Sequence, residues 1–123
     1  MKLAIIGSRS TSAESYPQLV REIDALVLAE GEAVSVIISG GAVGADTLLA
    51  ERYARERGIP IRIFLPDYAA HGRRAPLLRN QLIVGEASVV LAFWDGRSPG
   101  TAHALRMARR IGVKTILVVP QPA

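Results

Sequence analysis

VSVIISGGAVGAD, residues Val34 to Asp46, joins a β-favouring run to a glycine-rich loop, and the pattern that follows it is helical. Read outward from this stretch, a buried strand ends at Ser39 and the backbone turns sharply on Gly40, Gly41 and Gly44. A helix is then expected to begin near Asp46. Glycine admits positive φ and lets another group come close to the main chain. The first turn of a helix carries unpaired N–H groups and a partial positive charge, so a strand, glycine loop and helix in this order form a seat for an anion, often a phosphate.

The motif has a counterpart later in the chain. At a constant offset of 54 positions Val36 falls on Val90, Thr47 on Thr101, Ala50 on Ala104, Ala54 on Ala108, Arg55 on Arg109, Gly58 on Gly112 and Pro66 on Pro120. The glycine loop therefore lies over WDGRSPGT, Trp94 to Thr101. One strand, loop, helix, strand unit used twice accounts for this, and so does the common grammar of any two βαβ units. Under both readings two glycine-bearing loops sit at the C-terminal ends of strands.

A chain of 123 residues, half of them apolar, is expected to form a single domain, residues 1–123, with a real core. Leu3 to Ile6 is too short an apolar run for a signal peptide, and no run approaches a membrane span. With no cysteine, disulfides, thiolate catalysis and cysteine metal sites are excluded. A cytoplasmic protein without a membrane partner is the resulting expectation. The net charge of +4 is carried mostly by arginine, since Lys2 and Lys114 are the only lysines. Arg52, Arg55 and Arg57, and again Arg106, Arg109 and Arg110, fall late in helical patterns, where cations suit the helix dipole. A basic balance also favours polyanionic partners, which keeps nucleic acid under consideration.

Lys2 to Ile6 reads as the first strand and runs into Gly7, Ser8 and Arg9. Thr11 and Glu14 have capping-box spacing, and Tyr16, Leu19, Val20, Ile23, Leu26 and Val27 keep a helical period up to Gly31. Thr47 to Arg57 is expected as the second helix, stopped by Gly58, and Ile61 to Leu65 as the third strand. Asp67 to Ala75 shows no period and is expected to be irregular. Pro76 suits the first turn of a helix that carries Arg79 and Asn80. A strand Ser88 to Phe93, a loop Trp94 to Gly100, a helix Thr101 to Ile111 and a strand Val113 to Val119 follow.

Strands that alternate with helices and are themselves almost continuously apolar imply a parallel sheet covered on both faces. The expected fold is Rossmann-like: three layers, α/β/α, with a five-stranded parallel sheet in the order 3-2-1-4-5. Ligands bind such sheets outside the strand C-terminal ends where the order reverses. Three loops then meet in one crevice between the first and fourth strands: Gly7 to Thr11, Ser39 to Asp46, and Trp94 to Thr101.

GSR at Gly7, GGAVGAD at Gly40, PDY at Pro66 with the later Arg79 and Asn80, and FWDGRSPGT at Phe93 together resemble the SLOG superfamily. Within it, the chain is most similar to the small YspA and cpYpsA-related group. The resemblance implies a Rossmann-like fold that binds a nucleotide or nucleotide-derived ligand, such as AMP, NAD or an ADP-ribose derivative, with self-association of the chain into a homo-oligomer. Two related groups differ in activity. Lonely-guy phosphoribohydrolases split nucleoside monophosphates with a PGGxGTxxE motif; Gly100 and Thr101 match it, but Ala104 stands where its glutamate belongs. DNA-processing protein A carries a similar glycine loop and binds single-stranded DNA.

Ligand contacts are therefore expected from Gly7, Ser8, Arg9, Ser39, Gly40, Gly41, Gly44, Asp46, Arg79, Asn80, Trp94, Gly96, Ser98, Gly100 and Thr101. N-glycosidic cleavage would need a carboxylate to orient water or to stabilise a ribosyl cation, and Asp46 and Asp95 are the two in the converging loops. Each also has a structural role open to it: Asp46 as a helix N-cap, Asp95 as an Asx turn. His71 and His103 lack metal-ligand spacing, so no metal is expected and no cofactor is required. The leading expectation is nucleotide binding, followed by an N-glycosidic hydrolase and then by a single-stranded nucleic-acid binder; whether the chain is an enzyme stays open.

Overall fold

Leu3, Ile5 and their neighbours Ala4 and Ile6 alternate between two separate apolar clusters, one on each face of a central strand. That strand, β1 (Lys2–Gly7), is the axis of the structure, a computed structural model that describes residues 1–121. It pairs in parallel with β2 (Val36–Ser39) on one side and β4 (Val89–Phe93) on the other, so that Leu3 lies opposite both Ile37 and Val89. The short β3 (Ile61–Ile63) and β5 (Lys114–Val118) form the edges, and the sheet order is β3-β2-β1-β4-β5. The three-layer Rossmann-like architecture and the order read from the sequence both hold.

The order dictates the layers. Right-handed crossovers that step from β1 to β2 to β3 lay their helices on one face; the return past β1 to β4 and on to β5 reverses direction and uses the other. Accordingly α1 (Tyr16–Glu30) and α2 (Glu51–Arg57) pack their buried residues Leu19, Ile23, Leu26, Tyr53 and Ala54 with Leu3, Ile5 and Leu91. Ile83 and Val84 of α4 (Ala75–Glu86), with Ala104, Leu105 and Ala108 of α5 (Pro99–Arg110), pack with Ala4, Ile6, Val90 and Ala92. The central strands are buried apart from the ends of β1 and the first residue of β2, whereas Ile63 and Leu117 on the edge strands are exposed. Near-continuous burial is thus a property of β1, β2 and β4 only.

Several boundaries differ from the sequence reading, each for a local reason. Ser12, not Thr11, caps the first helical segment: its hydroxyl accepts from Glu14 N at 3.3 Å, and a 3-10 turn at Ala13–Ser15 precedes α1. The second helix opens with a π-helical turn, Ala45–Ala50, whose N-cap is Gly44. The segment expected to be irregular after Pro66 is helical instead. Asp67 accepts from Ala70 N at 3.1 Å and starts the single turn α3 (Tyr68–His71), followed by a 3-10 turn, Gly72–Arg74, that leads into α4. A four-residue helix is too short to show an apolar period, and its capping aspartate is its only sequence signal.

Gly44 fixes how the first two strand-end loops meet. Its φ is +94° with ψ −125°, and a Cβ placed there would lie 2.6 Å from Ser8 O and 2.8 Å from Arg9 O. Main chain therefore packs on main chain, which only a residue without a side chain permits. Gly58, which ends α2 in the left-handed region at φ +64°, faces open space. Gly58→Ala is expected to cost about 1 kcal/mol from backbone strain alone, and Gly44→Ala about 3 kcal/mol or more, because backbone strain and overpacking add. Urea denaturation midpoints of the two variants check this difference.

Candidate functional site

At the C-terminal ends of β1 and β4 the sheet order reverses, and a cleft of about 520 Å³ opens there. Its wall takes Gly7, Arg9 and Ser10 from the loop after β1, Ala42 and Asp46 from the glycine loop, and Asp95, Ser98, Pro99, Gly100 and Thr101 from the loop after β4 and the start of α5. Pro76, Leu77, Arg79 and Asn80 at the start of α4 close the remaining side, with Ile6, Ile83 and Ala104 as apolar lining. The three loops singled out by sequence thus meet in one crevice between β1 and β4.

The N-terminus of α5 is the strongest anion seat in this cleft. Ser98 occupies the N-cap without a side-chain capping bond, and its carbonyl accepts from Ala102 N at 3.1 Å and from Trp94 Nε1 at 3.1 Å. The first-turn N–H groups of Gly100 and Thr101 are left for a ligand, reinforced by the positive end of the helix dipole. Thr101 is buried, with its hydroxyl 3.5 Å from Ser98 Oγ, and both side chains line the cleft. Gly100 has open space around its Cβ position, so a side chain there would project into room a ligand needs.

Asp95 organises this loop. Its Oδ1 accepts from Arg97 N and Ser98 N, both at 2.8 Å, and its Oδ2 from Ser10 Oγ at 3.2 Å. Its own N–H donates to Ser8 Oγ at 3.1 Å. The hydrogen bonds from Ser98 N and Arg97 N hold its carboxyl down at about 2. This is the Asx turn, and it ties the loop after β4 to the loop after β1. A carboxylate so held is a poor proton acceptor at neutral pH.

Asp46 differs in every respect. It is not the N-cap: it lies inside the first helical turn, and its Oδ2 reaches back to accept from Ala42 N at 3.0 Å. The residue is 7% exposed, and its Oδ1 has no hydrogen-bond partner among the described residues. Burial raises the Asp46 carboxyl to about 6, against the opposing pull of the Ala42 N–H and the nearby Arg79 guanidinium. Arg79 is tied to the protein through two of its nitrogens: its Nη1 donates to Gly40 O at 2.7 Å and points to Phe64 O at 3.5 Å, while its Nε donates to Asn80 Oδ1 at 3.1 Å. Asn80 in turn donates to Gly100 O at 3.3 Å. Arg79 and Asn80 therefore link the glycine loop to the start of α5. Arg9, exposed at the cleft wall, makes no hydrogen bond or ion pair among the described residues and is the guanidinium left for a ligand.

Of the residues chosen from sequence, Gly7, Arg9, Asp46, Arg79, Asn80, Asp95, Ser98, Gly100 and Thr101 line the cleft. The others are not part of its lining. Ser8 and Ser39 are buried, and Ser39 Oγ accepts from Gly41 N at 3.2 Å. Gly40 is not a positive-φ position; its neighbour is the Arg79 guanidinium, which a Cβ would meet at 2.5 Å. Gly41 and Gly44 shape the loop, Trp94 braces Ser98, and Gly96 turns the chain at φ +82°. Sequence reasoning missed Ser10 and Ala42 and the apolar wall of Ile6, Pro76, Leu77 and Ile83. The alternation of β1 and the proline-started α4 were signals for part of that wall. Among the described residues no cluster of histidine and carboxylates forms a metal site, and no helix is long and apolar enough to cross a membrane.

The raised Asp46 carboxyl makes a stability prediction with a definite sign. In the unfolded chain this group titrates near 3.8, in the fold near 6, so the folded state binds the extra proton between those values. Its contribution to stability is full below about pH 4 and is lost as pH rises through 6. At pH 7 the buried charge costs about 2–3 kcal/mol. Asp46→Asn, which keeps an acceptor for Ala42 N, is expected to raise the melting temperature at pH 7 and to flatten the pH dependence between 4 and 6. Thermal denaturation across that range measures both effects.

Comparison with known proteins agrees with this architecture. The sequence model of the YspA, cpYpsA-related SLOG family matches residues 1–71. The Gene 61 protein of Mycobacterium phage D29 is 39% identical over 87 residues, 66% of this chain and 69% of that protein. Among solved structures, DNA processing protein A from Helicobacter pylori, described for its single-stranded DNA binding mode, superposes with a TM-score of 0.67 at 23% identity over 98% of this chain. DNA processing protein A from Streptococcus pneumoniae gives 0.73 at 22% over the same share. The chain spans 66% and 50% of the lengths of those two structures, and at this identity the likeness is one of fold. With the family match extending over more than half of its length, the chain belongs to the YspA, cpYpsA-related SLOG family.

Proposed function

We propose that the cleft binds a nucleotide or nucleotide-derived ligand of the AMP, NAD or ADP-ribose kind, with a phosphate at the N-terminus of α5. The observation that carries this reading is the uncapped first turn of α5 opening into a cleft that also presents an uncommitted arginine, Arg9. The apolar wall of Ile6, Pro76, Leu77 and Ile83 suits the faces of a base or of a nicotinamide, and the cleft volume falls within the usual range for small-molecule sites. Sensing or processing of such a ligand, without a further cofactor, fits a small single-sheet protein, and self-association through a surface outside the cleft is compatible with it.

Turnover is the less supported extension. Ala104 lines the cleft where the phosphoribohydrolases carry glutamate, and Asp95 has its oxygens engaged by Ser98, Arg97 and Ser10. Of the two catalytic candidates, only Asp46 offers a free oxygen and a proton affinity near neutrality. Ligand at a hundred times its dissociation constant is expected to stabilise the fold by about 2.7 kcal/mol, a rise in melting temperature of roughly 10 °C. Gly100→Asp is expected to abolish the rise through bulk and like charge. Thr101→Val, losing a bond to an anion, is expected to weaken binding about tenfold to a hundredfold. A panel of AMP, ADP, NAD and ADP-ribose that leaves the melting temperature of the wild-type chain unchanged contradicts the reading.

The likeness to DNA processing protein A supports a second reading, in which the phosphate seat holds one nucleotide of a single strand. A strand-tracking groove would need several phosphate contacts, each lowering the logarithm of affinity by about 0.7 per decade of salt. Arg52 instead pairs with Glu56 at 2.9 Å and stacks over the Tyr16 ring, on the helix face away from the cleft. Weak oligonucleotide binding, lost by physiological salt, is the expected result of a fluorescence titration; tight, salt-resistant binding favours the second reading over the first.

A further inference from the structure

The phosphate seat at α5 leaves one polar group in the cleft wall unused. Asp46 contributes a carboxylate whose Oδ2 is satisfied by Ala42 N, while its Oδ1 has no hydrogen-bond partner among the described residues. The residue is only 7% exposed, and it lines the cleft. A buried acceptor without a donor is unfavourable; the Gly40 N–H and Arg79, which donates to the carbonyls of Gly40 and Phe64 and to the Asn80 amide oxygen, lie near the carboxyl and only lessen the cost of burying it. A ligand group in the cleft can supply the missing bond.

The chemistry of that ligand group is narrow. A second phosphate would be repelled by the carboxylate, which leaves an amino edge of the base and a hydroxyl of the sugar as neutral donors. A hydroxyl donates and is neutral. In a nucleoside 5′-phosphate the pentose is joined directly to the phosphate, so anchoring the phosphate at Gly100 and Thr101 holds the sugar inside the same cleft, with the apolar wall left for the base. Asp46 lines the cleft while its Oδ1 is itself buried, so a turn of the carboxyl group on binding, of the kind side chains make, is needed to bring it to a hydroxyl.

Resting on the nucleotide reading above, we propose that Asp46 reads the pentose: its free carboxylate oxygen accepts from the 2′,3′-diol of ribose, so that the cleft selects ribonucleotides over 2′-deoxyribonucleotides. Asp46 is then a specificity residue, and the stability lost in burying its charge is compensated only when ligand is bound.

The test is calorimetry at pH 7.5 with the four ribonucleoside 5′-monophosphates and their 2′-deoxy counterparts, on the wild-type chain and on Asp46→Asn. The wild type is expected to bind at least one ribonucleotide about tenfold or more tightly than its deoxy form. In Asp46→Asn that ratio is expected to fall toward one, through loss of ribonucleotide affinity. Equal affinity for the ribo and deoxy forms in the wild type overturns the inference and leaves nucleotide binding standing. So does a ribose preference that survives unchanged in Asp46→Asn, and so does a variant that loses discrimination between amino and keto bases instead. No binding of any monophosphate, at concentrations where circular dichroism shows the fold intact, overturns this inference, and the nucleotide reading then stands or falls with NAD and ADP-ribose.

Discussion

Main chain packed on main chain at Gly44 is the constraint on which the site depends. The loop after β2 can lie against Ser8 and Arg9 only because residue 44 has no side chain and adopts a conformation reserved for glycine. That contact sets where the second helix starts, and hence where Asp46 stands. From there the connections run outward: Arg79 clamps Gly40, Asn80 holds Gly100, and Asp95 joins Ser8 and Ser10 to the turn before α5. Three loops from three strands become one surface because each carries a polar group that satisfies the backbone of another.

The two cleft carboxylates show how environment divides similar side chains. Asp95 is exposed and receives two backbone N–H groups, so its charged form is favoured. Asp46 is buried with one bond and one bare oxygen, so its charged form is disfavoured. A fold selected for stability alone would replace Asp46 by asparagine. Its place in the wall of the cleft, at a cost in stability, is what motivates the proposal that it serves a ligand.

The architecture was legible because its signals are long and repeated. Alternating strand and helix patterns, positive-φ glycines closing helices at Gly31 and Gly58, and the glycine loop after β2 leave few topologies open, and the order 3-2-1-4-5 is among them. The repeat at an offset of 54 is matched in space by N-caps at Gly44 and Ser98, which hold equivalent places in the two crossovers. What failed was set by short-range competition. Ser12 outcompeted Thr11 as a cap, a π-helical turn moved Asp46 inside its helix, and Asp67 nucleated a single turn that no period announces. The site was read as three loops, and its loops are those three. That Arg79 serves the protein and Arg9 faces the cleft depends on which carbonyls lie within reach, a tertiary fact that no local pattern carries.

The phosphate seat at the start of α5 is the central claim, and amide chemical shifts report on it residue by residue. In a titration of the isotopically labelled chain with AMP, the largest perturbations are predicted at the amides of Gly100 and Thr101, with smaller ones at Arg9 and Ala42. Largest perturbations at the opposite end of the sheet, around Asp24, Val34 and Tyr53 where a second, shallower hollow lies, would contradict it.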